Sequence, residues 1–331
     1  MKRVLVIRYG AHGDAIQASS IFPVLKQQGW QVAVDTTTPG EEVLRHDPNI
    51  DLLMVTDVKK ADAQHIEHRA HGFHRLIVLN DATEGALLKL PDRLDFHWPD
   101  SARRRVCNVN YVEHLHLVAD VPFERNQQRF YPTPDEKVGA EQFKARLGGR
   151  PMVLWVLAGS AQHKIWPGLA RGIVRVLQET EAHVVAIGGP TDQELAKSVQ
   201  AFGDGYFADF RRRTIWVVGS KTVRESMAMA CAADVVVGPE TGLLNAAAME
   251  ANAKVVMLSH STRENLTRDW VNTISLEPDR QRAPCWPCHR LHRDKQFCPQ
   301  DKTTELSACA SSIDVDTVVG AITAALGKGG R

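Results

Sequence analysis

Apolar residues recur along the chain in short unbroken runs, each followed by a polar or glycine-bearing loop and then by apolar positions three and four apart. The first run, residues 2–8 (KRVLVIR), predicts a strand covered on both faces, as in a parallel sheet. The stretch after it spaces Ala15, Ala18, Phe22 and Leu25 at helical intervals and stops at Gly29. Pro23 either kinks this helix or occupies a first turn. Runs at 31–35 (QVAVD), 51–55 (DLLMV) and 75–80 (RLIVLN) alternate with helical or polar segments. Together they predict a doubly wound sheet with helices on both faces.

A second series opens after the polar stretch QQRFYPTPDEK. Its apolar runs lie at 151–160, 183–189, 214–219, 234–238 and 254–258, with helical patterns at 167–179, 222–232 and 242–250. A last helical pattern at 314–326 suits either half. Two βαβ arrays joined near 132–150 predict an α/β chain of two Rossmann-like domains, residues 1–145 and 146–331, facing across a central cleft. Ligands of such folds sit at the carboxyl ends of the strands, so the loops there are the place to look for chemistry.

Composition narrows the partners. With 331 residues, 44% hydrophobic and 24% charged, the chain is long enough for two cores. Its formal net charge of +1 gives no global field for nucleic acid or an anionic membrane. No apolar run approaches the roughly 18 to 20 residues that span a bilayer. The first apolar stretch is too short for a signal peptide and contains Arg8, so the expected location is cytoplasmic.

Three loops after strands carry candidate chemistry. RYGAHGDAI, residues 8–16, lacks the G-x-G-x-x-G spacing of dinucleotide sites. It places Asp14 between strand and helix, as a general base at the cleft or as a cap of the helix. LAGSAQHKIWPG, residues 157–168, brings Ser160 and Lys164 toward the cleft beside a helix start, where a phosphate is favoured; a plain surface lysine is the alternative. GPETGLLNAAA, residues 238–248, would present the backbone amides of Thr241, Gly242 and Leu243, with Glu240 and Thr241 able to cap the helix.

Four of the six cysteines fall in residues 285–309: Cys285 and Cys288 as C-x2-C, then Cys298 and Cys309. Four thiolates can close a structural zinc or iron site; free reduced thiols are the alternative. His65, His68, His71 and His74 recur every three residues, a spacing that drifts around a helix and suits a solvated face better than a metal. The runs Arg103–Arg105 and Arg211–Arg213 suit solvated charge, or contact with an anionic acceptor.

The run VLVIRYGAHGDAIQASSIFPVLK, with GSAQHKIWP and GPETGLLNAAA, resembles the ADP-heptose:lipopolysaccharide heptosyltransferases of glycosyltransferase family nine across nearly the whole chain. The resemblance implies the GT-B fold and an inverting transfer from an ADP-heptose-like donor, with no divalent cation needed for catalysis. It assigns the base to Asp14 and donor contacts to Gly13, Ser160, Lys164, Glu240, Thr241, Gly242 and Leu243. The family's Asp-Thr-Gly-Leu-Ser-His turn is changed here at Glu240, Leu244 and Asn245, which reshapes the polar partners of the sugar. The cysteine segment resembles the iron-binding finger of heptosyltransferases that modify autotransporter proteins. The acceptor stays open among lipopolysaccharide core, a protein side chain and a modified nucleic acid. A nucleotide-sugar epimerase of the same architecture and a non-catalytic metal-ribbon adaptor for nucleic acid are the alternative functions.

Overall fold

The structure, a computed structural model, describes residues 2–57, 59, 62–124 and 127–328. Among the described residues, ten strands form two all-parallel sheets. In the first, β1 (Arg3–Arg8), β2 (Gln31–Thr36), β3 (Leu52–Val55) and β4 (Arg75–Val78) are ordered β3-β2-β1-β4. In the second, β5 (Met152–Val156), β6 (His183–Gly188), β7 (Thr214–Val218), β8 (Val235–Pro239), β9 (Ala253–Met257) and β10 (Thr273–Leu276) are ordered β10-β9-β8-β5-β6-β7.

The central strands are buried end to end because both faces are covered. Val4 to Ile7 in β1 and Met152 to Trp155 in β5 have no exposed surface, which is what their uninterrupted apolar runs require. The edges differ: Leu52 of β3 is 50% exposed and Leu76 of β4 is 41% exposed, so the first sheet is fully covered only at its centre. β10 has the short sequence TISL and a largely half-buried pattern, and it completes the second sheet beyond the strands expected from the apolar runs.

The first helical pattern is divided. A helix His12–Ala18 passes through a 3-10 turn, Ser19–Ile21, into a second helix Phe22–Gln27 whose first turn holds Pro23, where a missing N–H costs nothing. The chain's last helix, Val315–Lys328, packs on the helix Leu169–Glu179 and on β8, β9 and β10, so it serves the second sheet.

Each arginine run has one buried member, while Arg211 and Arg212 are solvated as expected. Arg103 is fully buried and donates from Nε to the Cys288 carbonyl at 2.7 Å, with further bonds to Phe96, Trp98 and Asp100. Arg213 is 6% exposed and donates to the Thr180 and Ala182 carbonyls. Among the described residues no helix is long and apolar enough to cross a membrane.

The halves meet through small residues, through Arg103 on the Cys288 carbonyl, and through a second buried arginine. The helix His12–Ala18 lies against the helix Gly242–Ala247, and Leu243 packs on both adjoining apolar cores. Arg224, 5% exposed, pairs with Glu136 at 2.6 Å and donates to the Glu42 and Tyr131 carbonyls, stitching the second half to two helices and a loop of the first.

Candidate functional site

The loops after β1, β5 and β8 open into one cavity of about 670 Å³, at the carboxyl ends of the strands where parallel sheets bind ligands. Gly13 and Asp14 line it from the first half, and Ser160, Lys164, Glu240, Thr241 and Gly242 from the second. Of the residues expected at the site, Leu243 stands apart: its side chain is half-buried between the two cores and is not part of the cavity wall.

Asp14 sits in the first turn of its helix and combines two roles. Its Oδ2 accepts from the Ala11 backbone N–H at 2.8 Å, so it does satisfy an orphan donor of the helix start. Its Oδ1 stands 3.6 Å from Arg8 Nη2 and the side chain stays 28% exposed, open to a ligand. The folded-back geometry requires Gly10, because a Cβ there would lie 2.8 Å from Asp14 Cβ.

A second carboxylate completes this wall. Arg8, almost fully buried, reaches both carboxylate oxygens of Glu84 at 3.0 and 2.9 Å. Burial and then the neighbouring Asp14 charge push the Glu84 carboxyl up to about 7, against the pull of Arg8. Glu84 lies in the irregular segment after β4, in the stretch DATEGALL, where no periodicity singles it out. Only the fold brings it to Asp14.

On the opposite wall, Lys164 Nζ donates to the Glu240 backbone carbonyl at 2.8 Å. Burial draws its ammonium pKa down, while Glu240 and Asp14 hold it up. The Glu240 carboxylate is turned onto the loop after β9: it accepts from Ser259 Oγ at 3.1 Å and from Ser261 Oγ, and lies 2.8 Å from His260 Nδ1. Burial pushes that carboxyl up, but His260, the hydrogen bonds and Lys164 together outweigh it and hold it well below the usual carboxylate range.

Thr241 precedes the short helix Gly242–Ala247 without capping it through its side chain, and among the described residues its buried Oγ1 finds no partner at the cavity wall. Asn245 donates to the Thr241 carbonyl at 2.9 Å and accepts from Gln17 at 3.2 Å and Gln128 at 3.3 Å, so this amide bridges the halves. A Cβ on Gly242 would meet His12 Cβ at 3.2 Å and Gly13 N at 3.4 Å. The two helix starts therefore touch backbone to backbone.

Cys285, Cys288, Cys298 and Cys309 all line a second cavity of about 380 Å³, together with His163, His260 and His292. Among the described residues, the compact group of possible metal ligands is His163, His292 and Cys298, whose ligand atoms lie within 4.8 Å of one another. His163, from the Lys164 loop, is 3% exposed and neither ring nitrogen has a partner. The histidines at 65 and 74 serve locally, His65 beside Thr56 at 3.1 Å and His74 accepting from the Arg3 N–H at 3.1 Å.

No family model and no curated protein matches the chain. Its structure does match solved ones along its length. E. coli ADP-heptose lipopolysaccharide heptosyltransferase II aligns with a TM-score of 0.69 at 15% identity, covering 100% of both chains. A glycosyl transferase family 9 protein from Veillonella parvula aligns with a TM-score of 0.69 at 16% identity, covering 99% of this chain and 98% of that one. The fold is GT-B.

A third GT-B match, the iron-containing dodecameric glycosyltransferase TibC from enterotoxigenic E. coli, has a TM-score of 0.61 at 13% identity and covers 98% of this chain and 78% of that one. At these identities the likeness concerns the fold. Within the GT-B frame, the cavity between the two sheets is the intersheet cleft, and the side chains on its walls carry the functional argument.

Proposed function

We propose that this chain is a cytoplasmic inverting glycosyltransferase that moves a sugar, heptose, from an ADP-linked donor to an acceptor hydroxyl. Residues 146–331 would hold the donor and residues 1–145 the acceptor. The observation that carries this reading is the convergence of an open carboxylate, Asp14, and a buried ammonium, Lys164, on facing walls of one cleft. In this reading the acceptor oxygen attacks the anomeric carbon, the bond to the diphosphate breaks, and Asp14 takes the hydroxyl proton.

The departing diphosphate gains negative charge as that bond breaks. Lys164, the Ser160 hydroxyl, the unpartnered Thr241 Oγ1 and the amides of Thr241 to Leu243 would stabilise it, with no divalent cation required. Gly13 supplies clearance rather than a contact. Glu240 acts through its loop, fixing the carbonyl that Lys164 touches and the Ser259–Ser261 segment. Arg8 and Glu84 orient Asp14 from behind.

The cysteine segment would hold a structural zinc or iron, in keeping with the iron of TibC and with Cys285, Cys288, Cys298 and Cys309 sharing one cavity. When bound, the ion would cross-link the segment and supply no reactive chemistry, as closed structural sites do.

The test is transfer from a panel of nucleotide sugars to candidate acceptors, lipopolysaccharide core first, read by mass spectrometry. Asp14→Asn keeps an acceptor for the Ala11 N–H, so the helix start survives. Transfer is expected to fall roughly 100-fold to 10,000-fold, the usual worth of a positioned base, with ADP binding retained. Unchanged turnover would remove Asp14 from the base role, and conversion of the donor without any acceptor would replace transfer by epimerisation.

A further inference from the structure

Two carboxylates and one guanidinium meet on the acceptor-side wall, and their charges do not cancel. Arg8 is 1% exposed. Its Nη1 donates to the Leu79 carbonyl at 3.1 Å, while its Nη2 serves both acids, Glu84 Oε1 and Oε2 at 3.0 and 2.9 Å and Asp14 Oδ1 at 3.6 Å. The other charges nearby are already matched. Arg93, beside Gly85, pairs with Asp81 at 2.6 Å, and Lys89 pairs with Asp95 at 2.8 Å while donating to the Gly85 carbonyl at 3.0 Å. His12, at the helix start, lies 3.3 Å from Glu42. Across the cleft, Lys164 feels the Asp14 charge and donates to the Glu240 carbonyl. One buried cation thus serves two acids, an arrangement that favours keeping a single proton on the pair.

Asp14 has one oxygen to spare. Its Oδ2 is taken by the Ala11 N–H at 2.8 Å, which leaves Oδ1 to receive a proton. Oδ1 is also the oxygen that stands by the guanidinium nitrogen Glu84 shares, and the two carboxyls hydrogen-bond each other when one proton lies between them. Both side chains line the cleft. Glu84 keeps its proton up to about 7, and a group that takes up protons near the working pH is the kind best matched to proton transfer.

We propose that Glu84 is the terminal proton acceptor of the transfer, with Asp14 Oδ1 taking the proton from the acceptor hydroxyl and handing it to Glu84 beside the Arg8 guanidinium. The acceptor O–H bond breaks as its oxygen bonds the anomeric carbon. The diphosphate leaves with the electron pair of its bond to that carbon, and the proton ends on a Glu84 carboxylate oxygen, from which the open side of the cleft returns it to solvent. Glu84 acts through Asp14 and not on the sugar, so its signature is a pH dependence and not a donor affinity. The relay rests on the transferase reading; the shared proton does not.

Two measurements on the full-length chain test these separately. With carbon-13 in the side-chain carboxyls, NMR follows Glu84, identified by the signal missing from Glu84→Gln. It should titrate near 7 in the parent and at distinctly lower pH in Asp14→Asn. Titration of the parent near the ordinary 4.5 would overturn the shared proton whatever the protein catalyses.

Transfer is then followed with ADP-heptose and lipopolysaccharide core from about pH 5.5 to about pH 8. The parent kcat should rise roughly 30-fold, the ratio of ionised Glu84 at the two ends for a group titrating near 7. Glu84→Gln mimics the protonated acid, so it should match the parent at the acid end and stay flat, with an unchanged KM for ADP-heptose. A variant slowed by one constant factor at every pH would show that Glu84 only orients Asp14, and would overturn the relay. Absence of transfer by the parent, with the Glu84 titration near 7 intact, would defeat the transferase reading and the relay with it.

Discussion

Replacing Glu84 by glutamine removes an ionisation that the folded chain resists. The carboxyl rises from its ordinary 4.5 to about 7 on folding, through burial and then the Asp14 charge. Between those two values the unfolded chain has released its proton and the folded chain still holds it. Stability therefore falls as pH rises through this window and levels off above about 7. One pH unit is worth about 1.4 kcal/mol, so the interval from 4.5 to about 7 carries roughly 3 kcal/mol. The side chain is 18% exposed, little enough for solvent to leave most of that effect in place. Near pH 5 the wild-type carboxyl is mainly protonated and glutamine mimics it, so the two proteins should differ little. At pH 8 the variant should gain about 2–3 kcal/mol relative to wild type, less what the weaker Arg8 contact costs. Urea unfolding of both proteins at several pH values, followed by far-UV circular dichroism, measures the difference. Asp14→Asn should flatten the same pH dependence in the parent, because it removes the second cause of the rise. A wild-type-minus-variant difference that stays constant from pH 5 to 8 would refute the coupled pair.

Other consequences are as direct. Lys164→Ala should weaken ADP binding roughly 10- to 100-fold, the worth of a hydrogen bond from a charged donor at about 1.5–3 kcal/mol; unchanged affinity by calorimetry would remove its phosphate role. Gly242→Val should destabilise the chain by about 1–3 kcal/mol through overpacking, since even a Cβ there meets His12 Cβ at 3.2 Å; an unaltered denaturation midpoint would show that the two helices separate freely.

The parallel strands are legible because each central one is a continuous apolar run: VLVI, MVLWV, VVAI and VVV have no polar face to alternate. β10 is not, since TISL is short and half-buried and gains its place only by pairing with β9. At the site, Asp14, Ser160, Lys164 and Thr241 were readable because each follows a strand end. Glu84 and His163 were hidden for the opposite reason. Glu84 lies in an irregular segment and meets Arg8, 76 residues away, while His163 comes near residues 292 and 298 only in the folded chain. Arg211 and Arg212 are solvated, as their charge suggests, but Arg103 and Arg213 are not, because local charge says nothing about burial: Arg103 is drawn inward by carbonyls that only the folded chain gathers. A rise in stability on substituting such an arginine is not expected, because its removal would strand those carbonyls.

The contact between Gly13 and Gly242 gives the cleft a gauge made of main chain alone. Side chains can change rotamer and widen or narrow a gap at little cost; two peptide backbones in van der Waals contact cannot. The loop carrying Asp14 and the turn carrying Thr241 are each within a residue or two of that contact. A change at either glycine is therefore transmitted to both walls at once, whereas changes at rim residues such as Leu90, Pro91 and Arg293 alter what the cleft admits without altering its gauge. Divergence in what such a protein accepts has room at the rim and almost none at the glycines.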